Sequence, residues 1–345
     1  MTDERLHELT SRFPNCRIAV VGDYFLDKYL DFDPAFEERS IETGLAAHQV
    51  TRIRHSPGAA GSVVGNLTSL GAGEVVVIGF TGDDGEGYDL RKDLAAMGCS
   101  DEMLLRLPDR YTPTYLKPCD RSIGGIAGER DRFDTKNREM LSAEAERAII
   151  ECLRRALPNV DAVIIADQAD EENCGVVTDT VRDALAKLAV EHSQVIFWVD
   201  SRRRIGRFRN MILKPNALEA VAAAMPGFDE PIDDVVILEA GSTLAELTGK
   251  PVFLTRSEHG IIVFNGSGSI RVPGVRVEGS IDPTGAGDSA TAGAVLALAS
   301  GAANYEAAIV ANLVGSITVQ QLGTTGRATV DQLPGRLDLL RNGLA

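Results

Sequence analysis

Short apolar runs recur along the chain at residues 17–22, 74–79, 161–166, 194–200, 211–214, 251–255 and 260–264, most of them bounded by Gly, Pro, Asp or Asn. A run without polar alternation suits a strand covered on both faces, because neither face then meets water. Between these runs, over 86–97, 142–156, 175–191 and 232–248, apolar residues recur at helical spacing. The alternation of the two predicts a mainly parallel sheet sandwiched between helices.

Residues 29–56 and 110–133 break this rhythm. Each holds a short polar/apolar alternation, around Val50 to Arg54 and Tyr111 to Tyr115, and neither has a long helical period. They are expected to form extra strands at the rim of the sheet, a lid over a site; the plainer reading is irregular surface connections. No repeat, low-complexity tract or linker divides the chain, so one domain spanning 1–345 is expected.

Composition narrows the partners. A formal net charge of −15 repels nucleic acid and anionic membrane over most of the surface, so neither is an expected partner, and an anionic substrate needs a local basic or backbone-amide site. Residues 1–14 mix Asp3, Glu4, Arg5, Glu8 and Arg12 with isolated apolar residues, unlike a secretory leader. No uncharged stretch reaches membrane length, and a cytoplasmic location is expected. The five cysteines are odd in number, scattered and without a CxxC pair, which reads as reduced thiols. The five histidines are scattered too and suggest neither a metal cluster nor a nucleophile triad.

The densest chemistry lies in Asp282-Pro283-Thr284-Gly285-Ala286-Gly287-Asp288-Ser289, ahead of a small-residue helix over 290–299. Gly285, Ala286 and Gly287 leave the backbone bare where the first amides of a helix lack partners, which makes an anion hole for a phosphoryl group. Asp288 in the first turn can take the proton of a hydroxyl while those amides neutralise phosphoryl oxygens. A lone Asp there would otherwise complement the helix dipole.

The stretch from Asp282 to Val295, DPTGAGDSATAGAV, resembles the C-terminal signature of the ribokinase-like (PfkB) carbohydrate kinases. The resemblance runs from about Cys16 to Leu333 and implies a Rossmann-like α/β fold, a three-layer α/β/α sandwich with a small β-strand lid. It further implies ATP and Mg2+ as cosubstrates, phosphorylation of a sugar hydroxyl, Asp288 as base and the amides of 285–288 as anion hole. Asp27, in Gly22-Asp23-Tyr24-Phe25-Leu26-Asp27, stands where the family places a sugar-binding carboxylate, which suits adjacent hydroxyls; a helix cap or surface Asp is the alternative. Asn216 and Glu219 are similar to the NxxE pair that positions magnesium and phosphate through waters. Thr255, Ser257 and Gly260 resemble the TxGxxG turn at ATP, with Ser257 replacing the middle glycine. Asn312 falls where the family lines the adenine pocket, or else faces solvent. Asp282 and the Thr284 carbonyl resemble a monovalent-cation site, for which K+ is the candidate.

Within the family, the segments 22–29, 57–72 and 311–325 look most like the heptose 7-phosphate kinase domain of ADP-heptose synthesis. No HxGH motif occurs, so the adenylyltransferase part of bifunctional versions is not expected. Gly58-Ala59 stands where the family has Gly-Gly, and Ser62 where it has an Asn that touches the sugar. Ala59 is expected to stiffen a hinge, and Ser62 has a shorter reach and fewer donors than Asn. Lys117 and the cluster Arg202, Arg203, Arg204, Arg207 and Arg209 could neutralise a substrate phosphate or simply form a solvated loop. The alternative to a kinase is a sugar or nucleotide sensor on the same fold. A lid with exposed strand edges predicts a homodimer, the monomeric alternative guarding its edge with Lys28, Arg52 and Arg54.

Overall fold

The computed structural model describes residues 1–123, 125–266 and 268–343. Gly124, inside the second rim segment, and residues 344 and 345, at the end of the expected domain, lie outside them. In chain order the strands are β1 (Arg17–Gly22), β2 (Tyr24–Phe32), β3 (Glu38–Arg39), β4 (Ala46–Ala47), β5 (Val50–Ala59), β6 (Glu74–Gly82), β7 (Leu104–Leu107), β8 (Thr114–Asp120), β9 (Phe133–Thr135), β10 (Ala162–Asp167), β11 (Ile196–Ser201), β12 (Ile212–Leu213), β13 (Val252–Thr255), β14 (Ile261–Asn265) and β15 (Gly268–Val272). The α-helices are α1 (Asp3–Thr10), α2 (Ala60–Ser69), α3 (Gly85–Ala96), α4 (Ala143–Ala156), α5 (Asp179–Glu191), α6 (Ala217–Ala224), α7 (Asp234–Thr248), α8 (Ala286–Ala299), α9 (Asn304–Thr318) and α10 (Leu333–Asn342).

Among the described residues the main sheet has nine strands in the order β15-β14-β13-β12-β11-β10-β1-β6-β7. Strands β1, β6, β7 and β10 to β13 are parallel; at one edge β14 runs antiparallel to both β13 and β15. The apolar runs explain the layering. Along β1, Ile18 and Val20 enter the core beneath α2, α8, α9 and α10, while Ala19 and Val21 enter the core beneath α4 to α7. Helix starts follow side-chain caps: Ser142, Thr178 and Asp233 each accept a backbone N–H of α4, α5 and α7. The helix expected over 175–191 therefore begins only at Asp179.

The chain order reverses beside β1, whose neighbours are β10 and β6. In open α/β sheets such a switch leaves a crevice at the carboxyl ends of the strands. Here Asp23 fills it, its carboxylate accepting the amides of Gln168, Ala169 and Val176. The next residues rise from that same edge as a second sheet, ordered β5-β2-β8-β9. It draws strands from both rim segments but starts at Tyr24, ahead of the expected boundary, because β2 follows β1 after Asp23 alone.

Candidate active site

The site assembles at the carboxyl edge of the main sheet. Gly285 caps α8 with φ 75°, in the left-handed region that glycine enters without strain. A Cβ there would also lie 2.9 Å from Thr325 Cγ2. The small residues of the helix have a packing reason: a Cβ on Gly293 would come within 2.8 Å of Val314 Cγ2, so α8 lies close against α9. Gly285, Ala286 and Asp288 are half-buried and Gly287 is exposed, which leaves the first turn open to a ligand.

Around Asp288 the strands bring in residues remote in sequence. Asp200 ends β11 and Lys214 follows β12; both are buried and their side chains meet at 2.9 Å. Thr291 of α8 donates to Asp200 at 3.4 Å, and Trp198 Nε1 donates to the same threonine at 3.3 Å. Asn216 and Glu219 start α6 as a reciprocal cap, the Asn216 side chain accepting the Glu219 amide at 2.9 Å and the Glu219 carboxylate accepting the Asn216 amide at 2.8 Å. Burial and then the Asp200 charge push the Asp288 carboxyl up to about 7, against Lys214, Arg202 and a hydrogen bond from Ser62. Burial likewise raises Glu219, with Lys214 opposing it.

Asp27, expected at the acceptor, is neither a helix cap nor a surface residue. It lies buried in β2, with its carboxylate 2.8 Å from Lys117 Nζ of β8. Lys117 in turn donates to the Tyr29 hydroxyl at 3.4 Å, and Arg54 stacks 4.6 Å above the Tyr29 ring. Asp31, next but one along β2, takes Arg54 at 2.9 Å and Arg121 at 3.4 Å. Lys117 also acts electrostatically on Asp282, in the loop before α8. Gly58 is required here: a Cβ would stand 2.6 Å from the Asp27 carboxylate. Ala59, ahead of α2, adopts φ 53° and ψ −118°, a conformation that strains an L-residue. The Ser62 hydroxyl hydrogen-bonds the Asp288 carboxyl.

Thr255, Ser257 and Gly260, expected at the nucleotide, lie where the chain turns from β13 to β14. Ser257 has φ 50° and Gly260 φ 82°; a Cβ on Gly260 would strike the Val272 carbonyl at 2.2 Å. Ser257 thus keeps the left-handed backbone that a glycine would supply. Thr255 Oγ1 donates to the Pro215 carbonyl at 3.4 Å, tying this turn to the start of α6. Half-buried Asn312 does not simply face solvent: its amide donates to the carbonyls of Val272 and Pro273. The Asp282 carboxylate accepts the amides of Thr284 and Gly323, both at 3.0 Å, and so shapes the loop. The arginine cluster disperses into pairs, Arg203 with Asp170, Arg204 with Asp167 and Arg207 with Glu172, while Arg209 donates to backbone carbonyls. Only Arg202 of the five acts on Asp288 and Glu219.

Sequence patterns pointed to Asp288, the glycines and Asp27. They missed Asp200 and Lys214, which lie at the carboxyl ends of separate strands and meet only because β11 and β12 are neighbours. A buried-strand run ending in a charged residue, twice over, was the one available signal.

The model of the pfkB family of carbohydrate kinases matches residues 27–330. The Bifunctional protein HldE of Desulfatibacillum aliphaticivorans is 31% identical over 337 residues, 96% of this chain and 65% of that protein. Its counterpart in Hyphomonas neptunium is 30% identical over 322 residues, 93% of this chain and 63% of that one. The chain thus spans about two thirds of the length of these relatives. Among solved structures, ribokinase from Thermotoga maritima superposes with a TM-score of 0.68 at 18% identity, over 94% of this chain and 99% of that one. Phosphofructokinase-2 from Escherichia coli, in complex with fructose-6-phosphate, also gives 0.68, at 17% identity over 94% and 99%. These structures establish a ribokinase-like α/β fold, and with a family match over most of its length the chain belongs to the pfkB family of carbohydrate kinases.

Proposed function

We propose that this ATP-dependent sugar kinase acts on a sugar that already carries a phosphate, a heptose 7-phosphate being the first candidate, with Asp288 as the base. The observation that carries the reading is the Asp288 carboxyl, set at the open start of α8 with a pKa raised to about 7. A base poised near neutrality accepts a hydroxyl proton and retains it through the transition state. As the acceptor oxygen bonds to the γ-phosphorus, the bond to the bridging oxygen of ADP breaks, and the amides of 285–288 receive the phosphoryl oxygens.

Asp27 orients the acceptor through two of its hydroxyls, and the second sheet closes over it as a lid. A phosphorylated acceptor is favoured by the cations on the Asp27 face. Lys117, Arg54 and Arg121 gather there around Asp27 and Asp31, in a protein of net charge −15. The HldE relatives support the heptose assignment, as do the segments 22–29 and 57–72. Glu219 and Asn216 would hold Mg2+ through waters, since hard oxygen donors suit that ion; the metal, when bound, neutralises charge on the nucleotide phosphates. Thr255, Ser257, Gly260 and Asn312 line the nucleotide side. A K+ behind Asp282 and Thr284 would brace the anion hole, and activity is expected to rise when potassium replaces a bulky organic cation at constant ionic strength. No helix among the described residues is long and apolar enough to cross a membrane. The test is ADP release with ATP and a panel of heptose 7-phosphate, fructose 6-phosphate and their unphosphorylated sugars. Turnover confined to unphosphorylated sugars would overturn the acceptor class, and turnover with none would overturn the kinase activity.

A further inference from the structure

A buried ammonium stands at the wall of the anion hole. Lys214 is 5% exposed, and burying a charge is unfavourable unless a partner compensates it. Asp200, at 2.9 Å, is the partner the structure gives it. An ammonium has three donors, and one carboxylate leaves donors over. Their direction follows from Gly287: a Cβ there would lie 3.4 Å from Lys214 Nζ and 4.0 Å from Asp200 Oδ2. The pair is therefore seated against the bare Cα in the first turn of α8, beside the base. Asp200 is fixed from behind by Thr291, which Trp198 holds in turn.

The charge around this cation makes its role specific. Asp200, Glu219 and Asp288 all interact with Lys214, so one ammonium faces three carboxyls. An incoming phosphoryl group would meet a net negative surround without it. Arg202, the other cation that acts on Asp288, is exposed and screened by solvent.

We infer that Lys214, positioned by Asp200 against Gly287, donates a hydrogen bond to the γ-phosphoryl group during transfer, and is thus a second catalytic residue beside Asp288. The inference rests on the kinase reading above. In the step, the acceptor oxygen bonds to phosphorus, the phosphorus bond to the leaving ADP oxygen breaks and the hydroxyl proton passes to Asp288. Lys214 keeps its proton throughout. The plain alternative is an ion pair that only holds β11 to β12.

The two are separated by the double variant Asp200→Asn/Lys214→Met, which removes both charges of the pair at nearly constant shape, so that neither partner of the pair is left as a lone charge. Calorimetric titration with Mg·ADP, with and without aluminium fluoride, reads the transferring phosphoryl group without an acceptor turnover. The double variant is expected to bind ADP within about threefold of wild type, to lose the tightening by aluminium fluoride, and to lose at least about 10²-fold in kcat. Wild-type tightening and kcat in that variant would overturn the inference and leave the pair structural. Should the double variant not fold, Lys214→Arg keeps the charge and moves the donors: about tenfold lower kcat at unchanged ADP affinity is expected, and unchanged kcat overturns the inference. A wild-type protein that neither binds ADP nor turns over would instead sink the kinase reading itself.

Discussion

Asp288 combines a role and a liability in one carboxyl. Burial and the Asp200 charge raise its pKa to about 7, so the carboxylate that accepts the proton is fully present only above that pH. The acid limb of kcat/KM is expected near pH 7, and Asp200→Asn, by removing a like charge, should move it to lower pH. Asp288→Asn is expected to lower turnover by at least about 10²-fold while ATP binding holds. The same shift has a stability sign. Unfolded, the carboxyl ionises near its ordinary value of 3.8, so from there to about 7 the native chain holds more protons, and this group lowers stability as pH rises. Asp288→Asn should therefore melt higher than wild type at pH 8, with the difference fading toward pH 4. Thermal melts showing no such difference would mean that the pKa is not raised. Ala59 is a second strained residue: its φ of 53° and ψ of −118° suit glycine. Strain of this kind costs about 1–3 kcal/mol, and glycine gives back about 0.5–1 kcal/mol in chain entropy. Ala59→Gly should stabilise the fold by about 1 kcal/mol in urea titration, and a loss would show that Ala59 sits there without strain.

At the scale of elements, what the sequence disclosed depended on how each element is buried. Strands β1 and β10 were legible because both their faces are core, so the apolar run is unbroken. The start of the second sheet was not. Tyr24, Phe25 and Leu26 are buried on both faces of β2, so no alternation marks where the main sheet ends. Helix α2 is hidden in the sequence for the same reason. It is buried from Ala60 through Leu67, and a helix covered all round shows no polar stripe. The base, its glycines and Asp27 were local patterns and could be read; Asp200, Lys214 and the Asp27–Lys117 pair exist only through strand neighbours. That pair sets the test of the acceptor pocket. Removing Asp27 outright strands a buried ammonium, so Asp27→Asn accompanies Asp27→Ala. Both should raise the acceptor KM at least about tenfold, with the KM for ATP changing less than about threefold. Equal changes in both KM values, or none, would remove Asp27 from the acceptor pocket.

Over the whole molecule the net charge is −15, and several exposed apolar residues belong to the second sheet and its connection. Phe36, Ile41 and Leu45 project from the connection between β2 and β5, Ile53 from β5 and Phe133 from β9. Register puts Ile53 opposite Leu30, and Phe133 opposite Leu116, which itself faces Lys28. Both therefore lie on the face of the second sheet turned away from Asp27. Exposed apolar side chains beside the open edge of β5 invite a partner. The charges that could guard a monomeric edge are engaged elsewhere: Lys28 pairs with Glu86 at 3.0 Å and Arg54 with Asp31 at 2.9 Å. Arg52 is left at the exposed half of β5. A second copy related by a two-fold axis would cover the same face on both chains and bring edge to edge, without disturbing the Asp27 side where the acceptor enters. A homodimer through the second sheet is thus expected, and light scattering at micromolar concentration should give twice the chain mass. Ile53→Asp together with Phe133→Asp should yield a folded monomer, because both carboxylates would be buried unpaired in the interface. Monomeric wild-type protein under those conditions would sink the dimer, and a double variant that stays dimeric would move the contact off this face.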